Sequence, residues 1–136
     1  AVRSMCGWKP SDYKEACMTQ DTCCTIVPYF EVHAGKLDAF KDLCQKMVDQ
    51  TTDEPKCLYY GYSFDGNTVH CREGYADAEG LLHHLKRIDP LLQEALQVAD
   101  LTRLEIHGPE QELDRLRQPL AALNPRFFVL EYGIRK

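Results

Sequence analysis

No stretch of this 136-residue sequence approaches the roughly 20 consecutive apolar residues that cross a bilayer, and Ala1-Val2-Arg3-Ser4-Met5 lacks the apolar core of a secretory signal. The expectation is a soluble chain with no membrane partner. Its compartment stays open between the cytoplasm and an organelle reached after presequence removal. Positive charge is in deficit, with 16 Lys and Arg against 21 Asp and Glu and a net charge of -5. That argues against a partner held by its phosphate backbone, and so against nucleic acid. No two cysteines stand at Cys-x-x-Cys spacing, which removes the zinc-ribbon and thioredoxin-type readings. A nucleophile elbow, a phosphate loop and a paired-carboxylate motif are missing too.

What is present is enough apolar material for one core: 44% hydrophobic residues in a length suited to a single domain. Seven cysteines are an odd number, so they cannot all pair within the chain. Cys44, Cys57 and Cys71 fall inside periodic segments and read as small core hydrophobes, to be reached by thiol reagents only on unfolding. The other four precede residue 25. A disulfide among them is left open, and they are expected to be reactive or oxidised. Residues 1–22 read as an N-terminal extension with one short helix after Ser11, and residues 23–136 as the domain.

From Cys24 the pattern is regular. Cys24 to His33 is rich in β-branched and aromatic residues and stops at Ala34-Gly35, predicting a first strand. Lys36 to Thr51 places Leu37, Phe40, Cys44, Met47 and Val48 on one helical face. Cys57–Phe64 and Thr68–Tyr75 flank Asp65-Gly66-Asn67, a tight hairpin. Asp77 caps a helix through Ile88, and Asp89-Pro90 restarts it, so that the second helix is expected to be broken or doubled. Leu101–His107 alternates as a half-buried strand. Gly108-Pro109 opens a short helix carrying Leu113, Leu116 and Leu120, and Arg126–Gly133 is a last strand. The order β-α-β-β-α-β-α-β is an α+β, ferredoxin-like split β-α-β unit with an extra C-terminal strand. That strand's apolar run Phe127-Phe128-Val129-Leu130 suits coverage on both faces, one by its own subunit and one by a homodimer partner.

Glu54-Pro55-Lys56-Cys57-Leu58-Tyr59-Tyr60, followed by Arg72-Glu73-Gly74-Tyr75 and then His84, resembles the motif series of the antibiotic biosynthesis monooxygenase-like proteins. These form a dimeric α/β-barrel. The resemblance runs from Cys24 to Gly133, with Lys56 replacing the family's usual glycine. It implies a pocket between sheet and helices where oxygen meets an electron-rich phenol, quinol or polycyclic aromatic without metal or flavin. A deprotonated aromatic can itself reduce oxygen, so the protein need only position it, exclude water and take a proton. The residues implied are His84, Glu73, Tyr75 and Tyr60. Glu73 and Tyr75 are two apart and share a strand face. His84 is expected at the border of the buried helix stripe, while His83 points away. The plainer roles are an ion pair of Glu73 with Arg103 or Arg72, and core packing for both tyrosines.

Other readings stay open. Some members of the superfamily bind haem through a Trp on the third strand and a His on the following helix, and here Tyr75 stands at the Trp position with His84 as axial candidate. A divalent metal held by Glu31, His33 and His70 is a further alternative, since the third strand begins beside the end of the first. The last is a non-enzymatic dimeric module that binds a small ligand or docks to an assembly.

Overall fold

A computed structural model of the chain describes residues 21–136. The short helix after Ser11, Cys6 and Cys17 lie outside the described residues. The elements are β1 (Cys24–Val32), α1 (Leu37–Thr51), β2 (Cys57–Asp65), β3 (Thr68–Tyr75), α2 (Ala78–Val98), β4 (Ala99–Gly108), α3 (Glu110–Arg117), a 3-10 turn (Ala121–Leu123) and β5 (Arg126–Val129). The sheet order is β2-β3-β1-β4-β5, antiparallel except for the parallel β4–β5 pair. This is the expected split β-α-β unit with its extra strand.

Alternation along the strands fixes which side chains meet the helices. On β1, Cys24, Ile26, Phe30 and Val32 are buried, opposite Tyr75, Glu73 and Val69 of β3 and Ile106 and Ala99 of β4. Pro28 sits in this central strand without a backbone donor, and the pairing with β4 slips immediately afterwards, between Tyr29 and Phe30. Two apolar clusters follow. One joins Cys24, Ile26, Tyr75, Leu81, Ile106, Leu113 and Leu116, and the other Phe30, Phe40, Met47, Val69, Ile88 and Ala95. The hairpin turns through Gly66 at φ +59, a conformation that a residue without Cβ adopts at no steric cost.

Four expectations are corrected. The second helix is neither broken nor doubled: α2 runs unbroken through Pro90, with Ile88 and Ala95 buried on either side, so packing outweighs the local loss of one hydrogen bond. The last strand ends at Val129 and not at Gly133, because Leu130 N–H bonds to the carbonyl of Gly108, where β4 itself stops. Cys23 and Cys24 are free and buried, their thiols pushed up by desolvation, Cys24 to about 12, so they are not the reactive group expected. Cys57 is only partly buried, unlike Cys44 and Cys71. Beyond these four, Asp21 Oδ2 pairs with Arg135 Nε (2.7 Å) and the Thr22 hydroxyl donates to the Ala76 carbonyl (2.6 Å).

Candidate active site

Three elements converge beneath the middle of α2. The inward positions of β3 are Cys71, Glu73 and Tyr75, and those of β2 beside them are Tyr60 and Tyr62. From above comes His84, one turn beyond Leu81. The Asp77 side chain starts this helix by accepting from Gly80 N at 2.8 Å, as the sequence indicates. His84 is 0% exposed, buried along with Leu81, Ile88 and Ala95. Glu54 and Tyr60 cover the flank that the helix alone leaves open, which encloses a ring at the border of the stripe.

The imidazole lies between two buried carboxyl groups. Nδ1 is 3.1 Å from both oxygens of Glu54. A carboxylate only accepts, so the proton of a neutral ring sits on Nδ1. Nε2 is 3.4 Å from Glu73 Oε1 but is not aligned for a hydrogen bond, and it is the one buried side-chain nitrogen or oxygen without a partner among the described residues. Desolvation holds the His84 pKa below its ordinary value and outweighs the attraction of Glu54. Desolvation raises Glu73 from 4.5 to about 7, although the hydroxyl of Tyr75 donates to its Oε1 at 2.6 Å. Near neutral pH the site therefore presents an imidazole with a free lone pair beside a carboxyl group that can still carry its proton.

Aromatic rings frame this pair. The rings of Tyr60 and Tyr75 each lie 5.0 Å from that of His84. The hydroxyls of Tyr60 and Tyr62 are hydrogen-bonded at 2.7 Å, and Tyr62 passes its proton toward Met47 Sδ at 3.3 Å. Burial pushes both phenols well above the usual range. Beside them a cleft of about 180 Å³ opens between the end of α1 and β2, lined by Thr51, Glu54, Cys57 and Tyr60 among others. Glu54 and Tyr60 both line this cleft and both touch His84.

The sequence-derived set of His84, Glu73, Tyr75 and Tyr60 is thus brought together. Glu73 is not paired with an arginine, since Arg103 is engaged with Glu105, and Arg72 lies over the ring of Tyr59. Sequence reasoning missed Glu54 and Arg87 as members, though Glu54 opens the motif quoted above. Arg87 Nη1 is 3.3 Å from Glu54 Oε2. Glu31, His33 and His70 do not gather: Glu31 accepts from Thr68, His33 bonds to Asp100, and His70 packs on Tyr29. Among the described residues no group of three or more His, Cys, Asp or Glu is arranged to hold a metal ion. Haem does not fit either. His84 is wholly enclosed, with Nδ1 on Glu54 and Nε2 turned to Glu73, and the adjoining cleft is small for a macrocycle.

MupZ from Pseudomonas fluorescens, known from a crystal structure, is 47% identical, covers 87% of this chain and 92% of its own, and superposes with a TM-score of 0.83. The chain belongs to the MupZ family. Its fold is that of the antibiotic biosynthesis monooxygenases. A candidate member from Caulobacter crescentus CB15 (16% identity, 70% of this chain and 94% of that one, TM-score 0.58) and a further antibiotic biosynthesis monooxygenase (17% identity, 61% and 92%, TM-score 0.54) share it. No family model and no curated protein matches the chain. This MupZ relative also has no helix, among the described residues, long and apolar enough to cross a membrane.

Proposed function

We propose that the chain is an acid–base enzyme acting on a small oxygen-bearing organic molecule at the buried Glu54–His84–Glu73 array. The observation that carries this is the orphaned lone pair of His84 Nε2 beside a carboxyl group with a pKa of about 7. Glu54 orients the ring, Nε2 takes a proton from the substrate, and Glu73 returns one to the oxygen that leaves carbon. A base and an acid at one point suit the making or breaking of a carbon–oxygen bond, in which one oxygen loses a proton while another gains one. Tyr60 and Tyr75 supply an apolar, water-poor frame, and Tyr60 and Glu54 meet the substrate first from the cleft.

A second reading is supported by the fold shared with the antibiotic biosynthesis monooxygenases. Here Nε2 deprotonates an electron-rich phenol, quinol or anthrone, and the resulting anion reduces molecular oxygen. Both readings place the site in a homodimer. The exposed apolar residues of the C-terminal segment, Val129, Leu130, Tyr132 and Ile134, favour a covered surface there.

One experiment separates them. The protein is incubated, with and without oxygen, with a quinol and anthrone panel and with a panel of cyclic ethers and hydroxy carbonyl compounds. Products are weighed by mass spectrometry. Oxygen-independent isomerisation, or gain or loss of water, that disappears in His84→Ala supports the acid–base reading. Incorporation of one oxygen atom into a quinol or anthrone supports the second. No turnover in either panel overturns both and leaves a ligand-binding module.

A further inference from the structure

The Thr52–Lys56 loop is fastened to α2 at both ends of the site. At the helix start, Lys56 Nζ reaches Asp77 Oδ2 at 2.8 Å and Glu79 Oε2 at 3.4 Å. Three residues past His84, Arg87 Nη1 lies 3.0 Å from Asp53 Oδ1 and 3.3 Å from Glu54 Oε2, and Gln50 Nε2 donates to the Arg87 carbonyl at 2.9 Å. The Glu54–His84 contact lies between these fastenings. Lys56 touches neither member of that contact. Arg87 touches Glu54 directly.

His84 has a choice that its surroundings must settle. As a neutral ring it carries one N–H, and a carboxyl group faces each nitrogen: Glu54 at Nδ1 and Glu73 at Nε2. If the proton sits on Nε2, the nitrogen that should act as base is blocked. Glu73 Oε1 already accepts from Tyr75, which weakens its claim on the ring proton. Glu54 faces the imidazole with both oxygens, and only Oε2 has a further cation beside it. Without that cation the Glu54 carboxylate, which borders the cleft, is free to turn outward and leave Nδ1 unpaired.

We infer that Arg87 is a positioning residue: by sharing its guanidinium between Asp53 and Glu54 it fixes the Glu54 carboxylate on Nδ1 of His84, and so keeps Nε2 as the nitrogen with the free lone pair. The inference rests on the reading of His84 as the base of the site. The titratable and charged groups around the ring are Asp53 and Glu54 from the loop, Cys57, Tyr60 and Tyr62 from β2, Cys71, Glu73 and Tyr75 from β3, and His83 and Arg87 from α2 itself. Arg87 is the one lasting positive charge in this set. It opposes protonation of His84, while Glu54 promotes it. Removing Arg87 therefore frees Glu54 to leave Nδ1 and loosens the ring's tautomer, and because the pull of Glu54 on the ring's charge exceeds the push of Arg87, the titration moves to lower pH.

The test is nitrogen-15 NMR of the His84 ring in wild type, Arg87→Gln, Arg87→Ala and Arg87→Lys, alongside the pH profile of whichever panel substrate is turned over. Wild type is expected to show a single neutral form protonated at Nδ1. In Arg87→Gln and Arg87→Ala the Nε2-protonated form gains population, the midpoint falls, and kcat falls by about 100-fold with KM little changed, as for a misplaced catalytic group. Arg87→Lys returns a cation to Glu54 and restores the wild-type tautomer. Circular dichroism confirms that each variant is folded, and the Gln variant keeps a side chain of similar length if the Ala variant unfolds. An unchanged tautomer and midpoint in Arg87→Gln would overturn the inference. A shifted tautomer with no turnover by wild type upholds Arg87 as positioning the ring and refutes the acid–base function instead.

Discussion

Replacing Glu73 by Gln keeps the shape of the side chain and an acceptor for the Tyr75 hydroxyl, and removes only the ionisation. In the folded protein Glu73 is 4% exposed and its pKa lies near 7, against 4.5 for an unperturbed glutamate. Between those values the native state keeps a proton that the unfolded chain has lost, so wild-type stability falls as pH rises. At 1.36 kcal/mol per pKa unit, the loss amounts to about 3 kcal/mol, complete above pH 7 and absent below 4.5. His84 works the other way. Its folded pKa lies below 6.5, so its contribution is lost as pH falls through 6.5 toward the folded value, and it partly masks the glutamate in wild type alone. The measurement is therefore the difference between wild type and Glu73→Gln, from urea unfolding at half-unit steps from pH 4.5 to 8, with matched slopes against denaturant. Wild type should lose ground to the variant across this range. A difference that stays flat with pH would mean that Glu73 is ionised in the folded protein, and the acid assigned to the site would be gone.

Three further outcomes are expected. Light scattering at micromolar concentration should give twice the 15.6 kDa chain mass, and a stable monomer would refute the shared barrel. Native thiol labelling should spare Cys24, Cys44 and Cys71 until the protein unfolds, while Cys57, partly exposed at the cleft and with its pKa raised by burial to about 11, reacts slowly; labelling of Cys71 as fast as Cys57 would place β3 wrongly. His84→Ala should cut turnover of a panel substrate by about 100- to 10,000-fold, as loss of a general base does, while His83→Ala stays near wild type; equal rates in the two would remove His84 from the chemistry.

Much of the fold is legible because its elements keep their periods: alternation on β1 and β3, the helical stripe of α1, the Asp77 cap and the Gly66 turn each state one conformation. Pro90 misleads because a single-residue rule does not weigh the burial of Ile88 and Ala95 on either side. His84 could be picked out from sequence but not its complete enclosure, since a helical wheel has no knowledge of the loop that covers one flank. Glu73 and Tyr75 are adjacent by strand alternation, and so could be grouped from sequence. The partnership of Glu54 with His84 spans 30 positions and depends on how the loop after α1 lies over α2, which no local pattern encodes. Arg87 escapes notice for a similar reason: off the apolar stripe of the helix it reads as a solvated charge, and its meaning comes from Asp53 and Glu54.

The central position of β1 also bears on how the chain is made. Its Cys24 must wait for Tyr75, and its Thr25 for His107, before either edge of the strand is covered. The β2–β3 hairpin can close by itself in roughly 1–10 microseconds, but at about 5–20 residues per second on the ribosome β1 stays unpaired for several seconds. A stretch such as Cys24-Thr25-Ile26-Val27 followed by Tyr29-Phe30, rich in β-branched and aromatic residues, would in that interval invite pairing with another nascent copy. Pro28 interrupts this run with a residue that has no backbone donor, the kind of break that disfavours strand-to-strand aggregation, and the register of the finished sheet slips just beyond it.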